Sequence, residues 1–130
     1  MAKIKAITFD LWDTVIHDDS DEPKRASMGL RSKRDERRHM VWQALNDVEP
    51  IEYATVELAY NVAEAAFRHV WHDQFVTWTV TERIQVILQG LQRELPQAAF
   101  DNVVKLHEEM ETTVAPDPIE GIAEALEAVS

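Results

Sequence analysis

Residues 7 to 15 read Ile-Thr-Phe-Asp-Leu-Trp-Asp-Thr-Val, an apolar run that opens into two aspartates, Asp10 and Asp13. The run before Asp10 has no alternation of polar and apolar residues, which is typical of a strand buried on both faces of a parallel sheet. Ligands of such sheets bind at the carboxyl ends of the strands. The stretch therefore predicts an α/β fold with Asp10 at the edge where a site forms.

A carboxylate at this place suits two kinds of chemistry. Asp10 could attack a substrate as a nucleophile and form a covalent aspartyl intermediate that water then cleaves. The same carboxylate could hold Mg²⁺, whose charge offsets the repulsion between an anionic nucleophile and an anionic substrate. The plainer alternative is an aspartate that ends a strand and begins a turn.

The whole string, Ile-Thr-Phe-Asp-Leu-Trp-Asp-Thr-Val-Ile from residue 7 to 16, resembles the first motif of the haloacid dehalogenase-like (HAD) hydrolases. The resemblance implies an α/β, Rossmann-like core with a helical C1 cap. It also implies that Asp10 is the nucleophile and a Mg²⁺ ligand. The backbone carbonyl of Trp12 would be a second Mg²⁺ ligand, and Thr14 would lie in the substrate-binding loop.

One position departs from the pattern of the family's phosphatases. They carry an aspartate two residues after the nucleophile, where it protonates the leaving group. Here that residue is Trp12, whose indole donates a hydrogen bond but is no general acid. Asp13 lies one place later, and we assign it no acid role. An aromatic residue at this position resembles the haloacid dehalogenase branch, in which the aspartate displaces halide and needs no acid.

Composition limits the function classes. The chain has 130 residues, 45% of them hydrophobic, which fits one soluble domain. It has no cysteine and only three glycines, which excludes disulfides, thiol catalysis and the glycine-rich nucleotide motifs. A net charge of −11 disfavours binding to nucleic acid, and no apolar run reaches the roughly 18 residues of a membrane span. We expect a cytoplasmic protein, and no oligomeric state is predicted.

The charged residues are unevenly distributed. An acidic run at positions 18–22 looks like an exposed linker. Seven of the thirteen basic residues follow it: Lys24, Arg25, Arg31, Lys33, Arg34, Arg37 and Arg38. This basic stretch could bind phosphate, but the pattern favours a solvated loop and helix face.

Apolar residues then recur at helical spacing, and prolines or capping residues separate the segments. Helices are predicted near 33–48, near 51–74, from a Thr79-x-x-Glu82 capping box up to Pro96, and near 97–113. A last helix is expected from an Asp117 N-cap with Pro118 at its first position. For the second of these helices the predicted apolar stripe is Leu58, Val62, Ala65 and Ala66, widened by Ala59, Ala63, Phe67, Val70 and Trp71.

The sequence predicts one strand and about five helices, and the resemblance implies how these elements divide into domains. Residues 1–16 would form the first core strand and catalytic loop, residues 17–115 the helical cap, and residues 116–130 a helix that returns to the core. The family's later motifs have no counterpart here, namely a Ser or Thr, a Lys and an acidic pair. We therefore expect a truncated fragment of a longer hydrolase, which is inactive by itself.

Two clusters of residues outside the Asp10 motif have alternative interpretations. His69, His72 and Asp73 share a helix face and could bind a divalent metal, although surface histidines at this spacing are common. Trp71, Phe75 and Trp78 could line a substrate pocket, but packing inside a helical bundle is favoured.

The leading hypothesis is a HAD-like hydrolase of a small molecule, most simply a phosphate monoester, with Asp10 as nucleophile and Mg²⁺ as cofactor. Dehalogenation of a 2-haloacid is the alternative within that class and would need no Mg²⁺. An alternative of another class is a non-catalytic helical module that binds a partner protein and keeps an unused aspartate motif. No nucleic-acid or membrane partner is expected.

Overall fold

The computed structural model describes residues 3–130 and contains six helices in that range. In chain order they are α1 (Asp21–Ser27), α2 (Lys33–Val48), α3 (Tyr53–Gln74), α4 (Val80–Leu91), α5 (Gln97–Thr113) and α6 (Ile122–Val129). The chain divides into two units. One comprises Met1–Leu30 and Val114–Ser130, and the other comprises Arg31–Thr113.

The expected α/β fold is wrong for the described residues, because they contain helices and no named strand. Residues 3–10, where the first strand was predicted, are irregular and exposed. Their side chains include Ile4, 78% exposed, and Ile7, 52% exposed. A strand is stable only when its backbone groups bond to a neighbouring strand, and residues 3–130 supply no such neighbour. The apolar composition of this segment was therefore no sufficient basis for a strand.

The unit Arg31–Thr113 is a four-helix bundle. Helix α2 packs against α3 and α5, and α4 packs against the same two helices, so that the four form a closed ring. The fully buried side chains come from all four helices and include Val41, Leu45, Val56, Ile84, Ile87 and Val103. Short connections allow neighbours in sequence to be neighbours in the bundle.

The bounds of α2, α3 and α5 agree closely with the sequence pattern, whereas α4 ends at Leu91 and does not continue to Pro96 as predicted. The buried face of α3 also differs from the predicted one. Val56, Tyr60 and Ala63 are its buried residues, whereas Leu58 is 65% and Val62 is 61% exposed. Apolar residues surround much of α3, so periodicity alone did not define one face. The buried face includes a polar side chain, Tyr60, whose ring stacks on that of His107 at 6.3 Å between centroids.

Helix α4 begins at the predicted capping box. The Thr79 hydroxyl accepts a hydrogen bond from the Glu82 amide at 3.2 Å, and the Thr79 amide donates to Glu82 Oε2 at 2.7 Å. These bonds satisfy two amides at the helix terminus that have no partner within the helix. The pKa of the Glu82 carboxyl is lowered, first by the hydrogen bond from the Thr79 amide and second by one from the Thr79 hydroxyl at 3.0 Å.

Removing the cap gives a first prediction. Thr79→Ala is expected to lower the free energy of unfolding by about 1 kcal/mol, because the Glu82 amide loses its acceptor. Urea unfolding followed by circular dichroism measures the change. Thr79→Ser keeps a hydroxyl at the same place and serves as the control, since serine is an equally good N-cap. Equal losses in the two variants would contradict the assigned role of the hydroxyl.

The last helix begins later than predicted. Helix α6 starts at Ile122 after Gly121, whose φ of 78° places it in the left-handed region that glycine adopts without strain. Asp117 and Pro118 do not begin this helix, because their backbone pairs with the N-terminal segment instead. The prediction of an Asp117 N-cap was therefore wrong.

The acidic run is also more ordered than an exposed linker. Part of it forms α1, and within this helix Asp21 is 2% and Arg25 is 3% exposed. Acidic residues in the first turn and basic residues in the last turn match the polarity of the helix dipole. Charge content alone suggested an exposed linker, and no helix was predicted here.

Candidate functional site

The predicted nucleophile, Asp10, lies at the end of the irregular N-terminal segment and is exposed. Within residues 3–130 its carboxylate makes no hydrogen bond or ion pair. A carboxylate without a protein partner remains available to a substrate or a metal ion. It also lacks a cationic neighbour to stabilise developing negative charge in a transition state.

The loop after Asp10 is tightly folded. The amides of Val15 and Ile16 both donate to the Leu11 carbonyl, at 2.9 and 3.1 Å, and the Asp13 amide donates to the Ile16 carbonyl at 2.7 Å. Asp13 has a φ of 53°, a left-handed conformation that aspartate tolerates better than most residues. The loop backbone is thus held by its own hydrogen bonds.

The Asp13 carboxylate has a structural contact, because its Oδ1 accepts the Asp18 amide at 3.0 Å. This contact closes the loop from residue 13 to residue 18. A carboxylate used in this way is already hydrogen-bonded to the backbone. This contact gives the Asp13 carboxylate a structural role in the loop.

A second segment of the same unit fixes the loop. The His17 amide donates to the Asp117 carbonyl at 2.8 Å, and the Ile119 amide donates to the Val15 carbonyl at 2.9 Å. This is an isolated antiparallel bridge between Ile16 and Pro118. Two segments that are far apart in sequence are thereby brought together beside the predicted site.

Side chains strengthen this junction. Lys24 Nζ lies 2.5 Å from Asp117 Oδ1 and donates to the Ala115 carbonyl at 2.8 Å, while the Ser20 hydroxyl accepts the Asp117 amide at 2.7 Å. Lys24 belongs to the basic stretch for which phosphate binding was one alternative. Its ammonium group is instead used to hold the segment 115–117.

Trp12 and Thr14, the other predicted site residues, also lie exposed in this loop. The Trp12 side chain is 44% exposed. Its carbonyl oxygen accepts no hydrogen bond from the described part of the chain. The structure therefore leaves the Asp10 carboxylate and the Trp12 carbonyl available as two oxygen ligands, the type that Mg²⁺ prefers.

Those two oxygens fit a magnesium site in kind but do not complete one. Between residues 3 and 130, no group of three or more His, Cys, Asp or Glu side chains is arranged to hold a metal ion. Mg²⁺ binds through one or two carboxylates together with water and substrate oxygens, so an incomplete protein ligand set is compatible with it.

The structure bears differently on the two clusters outside the Asp10 motif. His69 Nδ1 lies 3.1 Å from Asp73 Oδ2 and His72 Nδ1 lies 2.9 Å from Asp73 Oδ1, so the three residues do meet on the surface of α3. They belong to no metal-binding group. Trp71 and Phe75 are 54% and 89% exposed, so the favoured packing of these aromatic residues inside the bundle was wrong for both.

The prediction that the basic stretch forms a solvated loop and helix face was wrong in part, because some of its residues lie inside the bundle. Arg38 is 0% exposed and Lys33 is 6% exposed. Arg38 Nη2 bonds to Glu64 Oε2 at 2.7 Å, and Lys33 Nζ lies 3.7 Å from Glu111 Oε2. Arg37 also forms an ion pair with Glu111. The favoured interpretation as a solvated face was therefore wrong for these residues, whose partners lie on α3 and α5.

Next to this network, Tyr60 and His107 form a buried polar pair. The Tyr60 hydroxyl lies 3.2 Å from His107 Nε2, and His107 Nδ1 lies 2.8 Å from the Val103 carbonyl. Nδ1 must donate to a carbonyl, so in neutral His107 Nε2 accepts from the tyrosine. Burial lowers the pKa of His107 and raises the pKa of Tyr60 to about 12. Both side chains are thus held neutral.

His107 gives a prediction about pH. Its pKa in the folded protein lies below the ordinary value of 6.5, so below that pH the unfolded chain binds more protons than the folded one. We expect stability to fall as the pH drops from 7.5 through 6.5 to 5.5. The hydrogen bond to the Val103 carbonyl and the Glu111 carboxylate oppose this lowering of the pKa, whereas Arg37 and Arg83 add to it. Urea unfolding at the three pH values measures the loss.

The control for this prediction is His107→Gln, which keeps polar groups but does not titrate. Its unfolding free energy should depend less on pH than that of the wild type over the same interval. An equal dependence in both proteins would assign the effect to other groups.

The described residues include no helix that is both long and apolar enough to cross a membrane. No protein-family model, curated protein or solved structure matches the chain.

Proposed function

We propose that this chain carries the nucleophile and the helical lid of a HAD-like hydrolase that acts on a small molecule in the cytoplasm. The preferred substrate class is a phosphate monoester. The observation that carries the proposal is the position of Asp10, an exposed carboxylate without a protein partner at the start of a hydrogen-bonded loop. A four-helix bundle that forms a unit of its own supports the assignment of a lid.

In the proposed reaction an Asp10 oxygen attacks phosphorus, the bond from phosphorus to the ester oxygen breaks, and the alcohol leaves after taking a proton from water. A second water then cleaves the aspartyl phosphate and releases inorganic phosphate. Asp10 and the Trp12 carbonyl would hold Mg²⁺. The metal would offset the repulsion between the carboxylate and the phosphate group.

The site needs further groups. No cationic side chain contacts Asp10 in the range 3–130, and the apolar residues before it, such as Phe9 at 44% exposure, are uncovered. Electrostatic stabilisation is the largest contribution to such reactions, so the isolated nucleophile should be nearly inactive. Hydrolysis at this carboxylate therefore needs charge partners and a cover for the apolar segment that residues 3–130 do not supply.

One observation favours a second candidate reaction. Trp12 stands where a phosphatase has its general acid, and Asp13 is engaged with the Asp18 amide. Displacement of halide from a 2-haloacid by Asp10 requires no such acid, because halide leaves without a proton. Dehalogenation is therefore the alternative hydrolysis at the same carboxylate.

The test is a hydrolysis assay on the 130-residue chain and on any longer product of the same reading frame. We expect Mg²⁺-dependent release of phosphate from small phosphate monoesters by the longer product and almost none by the chain alone. Release of halide from 2-haloacids without Mg²⁺ would select the alternative. Absence of both activities from every product would refute the proposal and leave a non-catalytic helical module that binds another protein.

A further inference from the structure

The four-helix bundle has a cavity, partly open to solvent, that the proposed hydrolase chemistry does not use. It has a volume of about 340 Å³ and is lined by residues of α2, α3, α4 and α5, together with Trp78 just before α4. Cavities from about 300 Å³ upward accommodate small organic molecules. All of its lining residues belong to the unit Arg31–Thr113, so its description is independent of the Asp10 loop.

The first notable wall group is Arg83, on α4. Its Nε is buried and has no hydrogen-bond partner. Its guanidinium carbon lies 3.7 Å from the centre of the Phe67 ring, which places one face of the cation against the aromatic ring. Burial lowers the pKa of Arg83, yet an arginine remains charged near neutral pH. The two Nη groups also make no hydrogen bond or ion pair within residues 3–130. Because Arg83 lines the cavity, these terminal groups are the donors available to an acceptor from outside the chain.

The other charges at the cavity largely cancel. Glu111 forms ion pairs with Arg37 and with Lys33. Glu108 is exposed and lies at the same cavity. Arg83 has no ion pair within residues 3–130. One cation is thus available to a ligand, and the nearby Glu108 carboxylate disfavours a second negative charge on that ligand.

The remaining walls are suited to a flat apolar group. Trp78, Val80 and Ile84 contribute indole and aliphatic surface. Tyr60 also lines the cavity. Its hydroxyl donates to His107, and its oxygen keeps an acceptor position. The planar guanidinium group of Arg83 matches the two oxygens of a carboxylate.

We propose that this cavity, the Arg83 cavity, binds a small monoanionic organic carboxylate, with the carboxylate on Arg83 and a flat apolar body against Trp78. A phosphate dianion is disfavoured because the cavity offers a single unpaired cation. The inference goes beyond the hydrolase proposal, and the carboxylate is a ligand of the bundle, bound without chemical change.

The test uses benzoate as the probe and the full 130-residue chain. Titration followed by NMR should shift the indole N–H signal of Trp78 while leaving those of Trp12 and Trp42 in place. This measurement on the wild type requires no variant. Arg83→Met should raise the dissociation constant at least about tenfold, because a hydrogen-bonded charge is lost. It should also be as stable as the wild type or more so, since it removes a buried donor without a partner.

The matched control is Arg68→Met, which removes an equal charge from an exposed position of α3. It should bind benzoate like the wild type. Two further probes define the ligand class: neutral benzamide should bind more weakly than benzoate, and phenyl phosphate should not bind more tightly. The proposal is overturned by any of three results: no shift of Trp78, equal affinity of Arg83→Met and the wild type, or equal affinity for benzamide and benzoate. Tighter binding of phenyl phosphate would overturn the assignment of a monoanion.

Discussion

Replacing Asp10 by asparagine is expected to lower hydrolysis by at least about 10³-fold in the gene product that carries the activity. The amide oxygen of asparagine is a poor nucleophile and carries no charge to hold Mg²⁺. The fold should not change, because the Asp10 side chain is exposed and bonds to nothing within residues 3–130. The turnover number should therefore fall, while the urea concentration at the midpoint of unfolding stays unchanged.

The matched control is Asp13→Asn, three residues away in the same loop. Asparagine tolerates the left-handed φ of 53° and retains an oxygen that can accept the Asp18 amide. Activity within about threefold of the wild type is expected, which corresponds to a change of less than about 1 kcal/mol in the activation free energy. A loss as large as that of Asp10→Asn would instead make Asp13 the missing general acid. Retained activity in Asp10→Asn would remove Asp10 as the nucleophile.

The contrast between the two units shows what the sequence could predict. The bounds of α2 were predicted at 33–48 and observed at Lys33–Val48, because local spacing and Pro50 define them. The Thr79 cap is equally local, since all its bonds join residues three positions apart. Signals carried by neighbouring residues on one helix can be read from a single sequence.

The failures concern partners that are distant in sequence. Asp117 and Pro118 form a good local signal for a helix start. Instead, the Asp117 carbonyl accepts the His17 amide and the Ile119 amide donates to the Val15 carbonyl. Tyr60 is buried with its hydroxyl beside His107, which lies 47 positions away in sequence. The segment before Asp10 is a further example. Its apolar residues predicted a strand, but a strand needs a neighbouring strand, and residues 3–130 contain none.

The candidate site divides in the same way. Asp10, Trp12 and Thr14 were identified from one continuous motif, and the structure places all three exposed in one loop. The Arg83 cavity combines residues from four helices and left no continuous signal. Arg83 itself occupies an ordinary position on α4, and its unpaired state depends on which residues of α3 and α5 surround it.

Arg38 is the clearest case of a charge whose role only the fold defines, and it leads to the largest stability effect expected here. It is fully buried, and its guanidinium group donates to Asn61 Oδ1, to Glu64 Oε2 and to the Arg34 carbonyl at distances from 2.6 to 3.1 Å. The cation also lies 4.8 Å from the centre of the Tyr60 ring. One side chain thus joins α2 to α3 with all its polar groups engaged.

Arg38→Met is therefore expected to lower the free energy of unfolding by about 3 kcal/mol. The loss arises less from the ion pair itself than from leaving the Glu64 carboxylate, only 23% exposed, without its cation. A domain of this size is stable by about 5 to 15 kcal/mol, so the variant should still fold in dilute buffer. Urea unfolding followed by circular dichroism provides the value.

Three companion variants make this result specific. Arg68→Met removes a charge from an exposed part of α3 and should change the free energy by no more than about 0.5 kcal/mol. Arg38→Lys keeps the charge but not the planar arrangement of donors, so an intermediate loss is expected. Adding Glu64→Met to Arg38→Met should recover part of the loss, because the buried carboxylate is then removed as well. If the double variant is less stable than Arg38→Met alone, an isolated buried charge is not the cause. In that case the loss comes from packing of the arginine side chain on Tyr60.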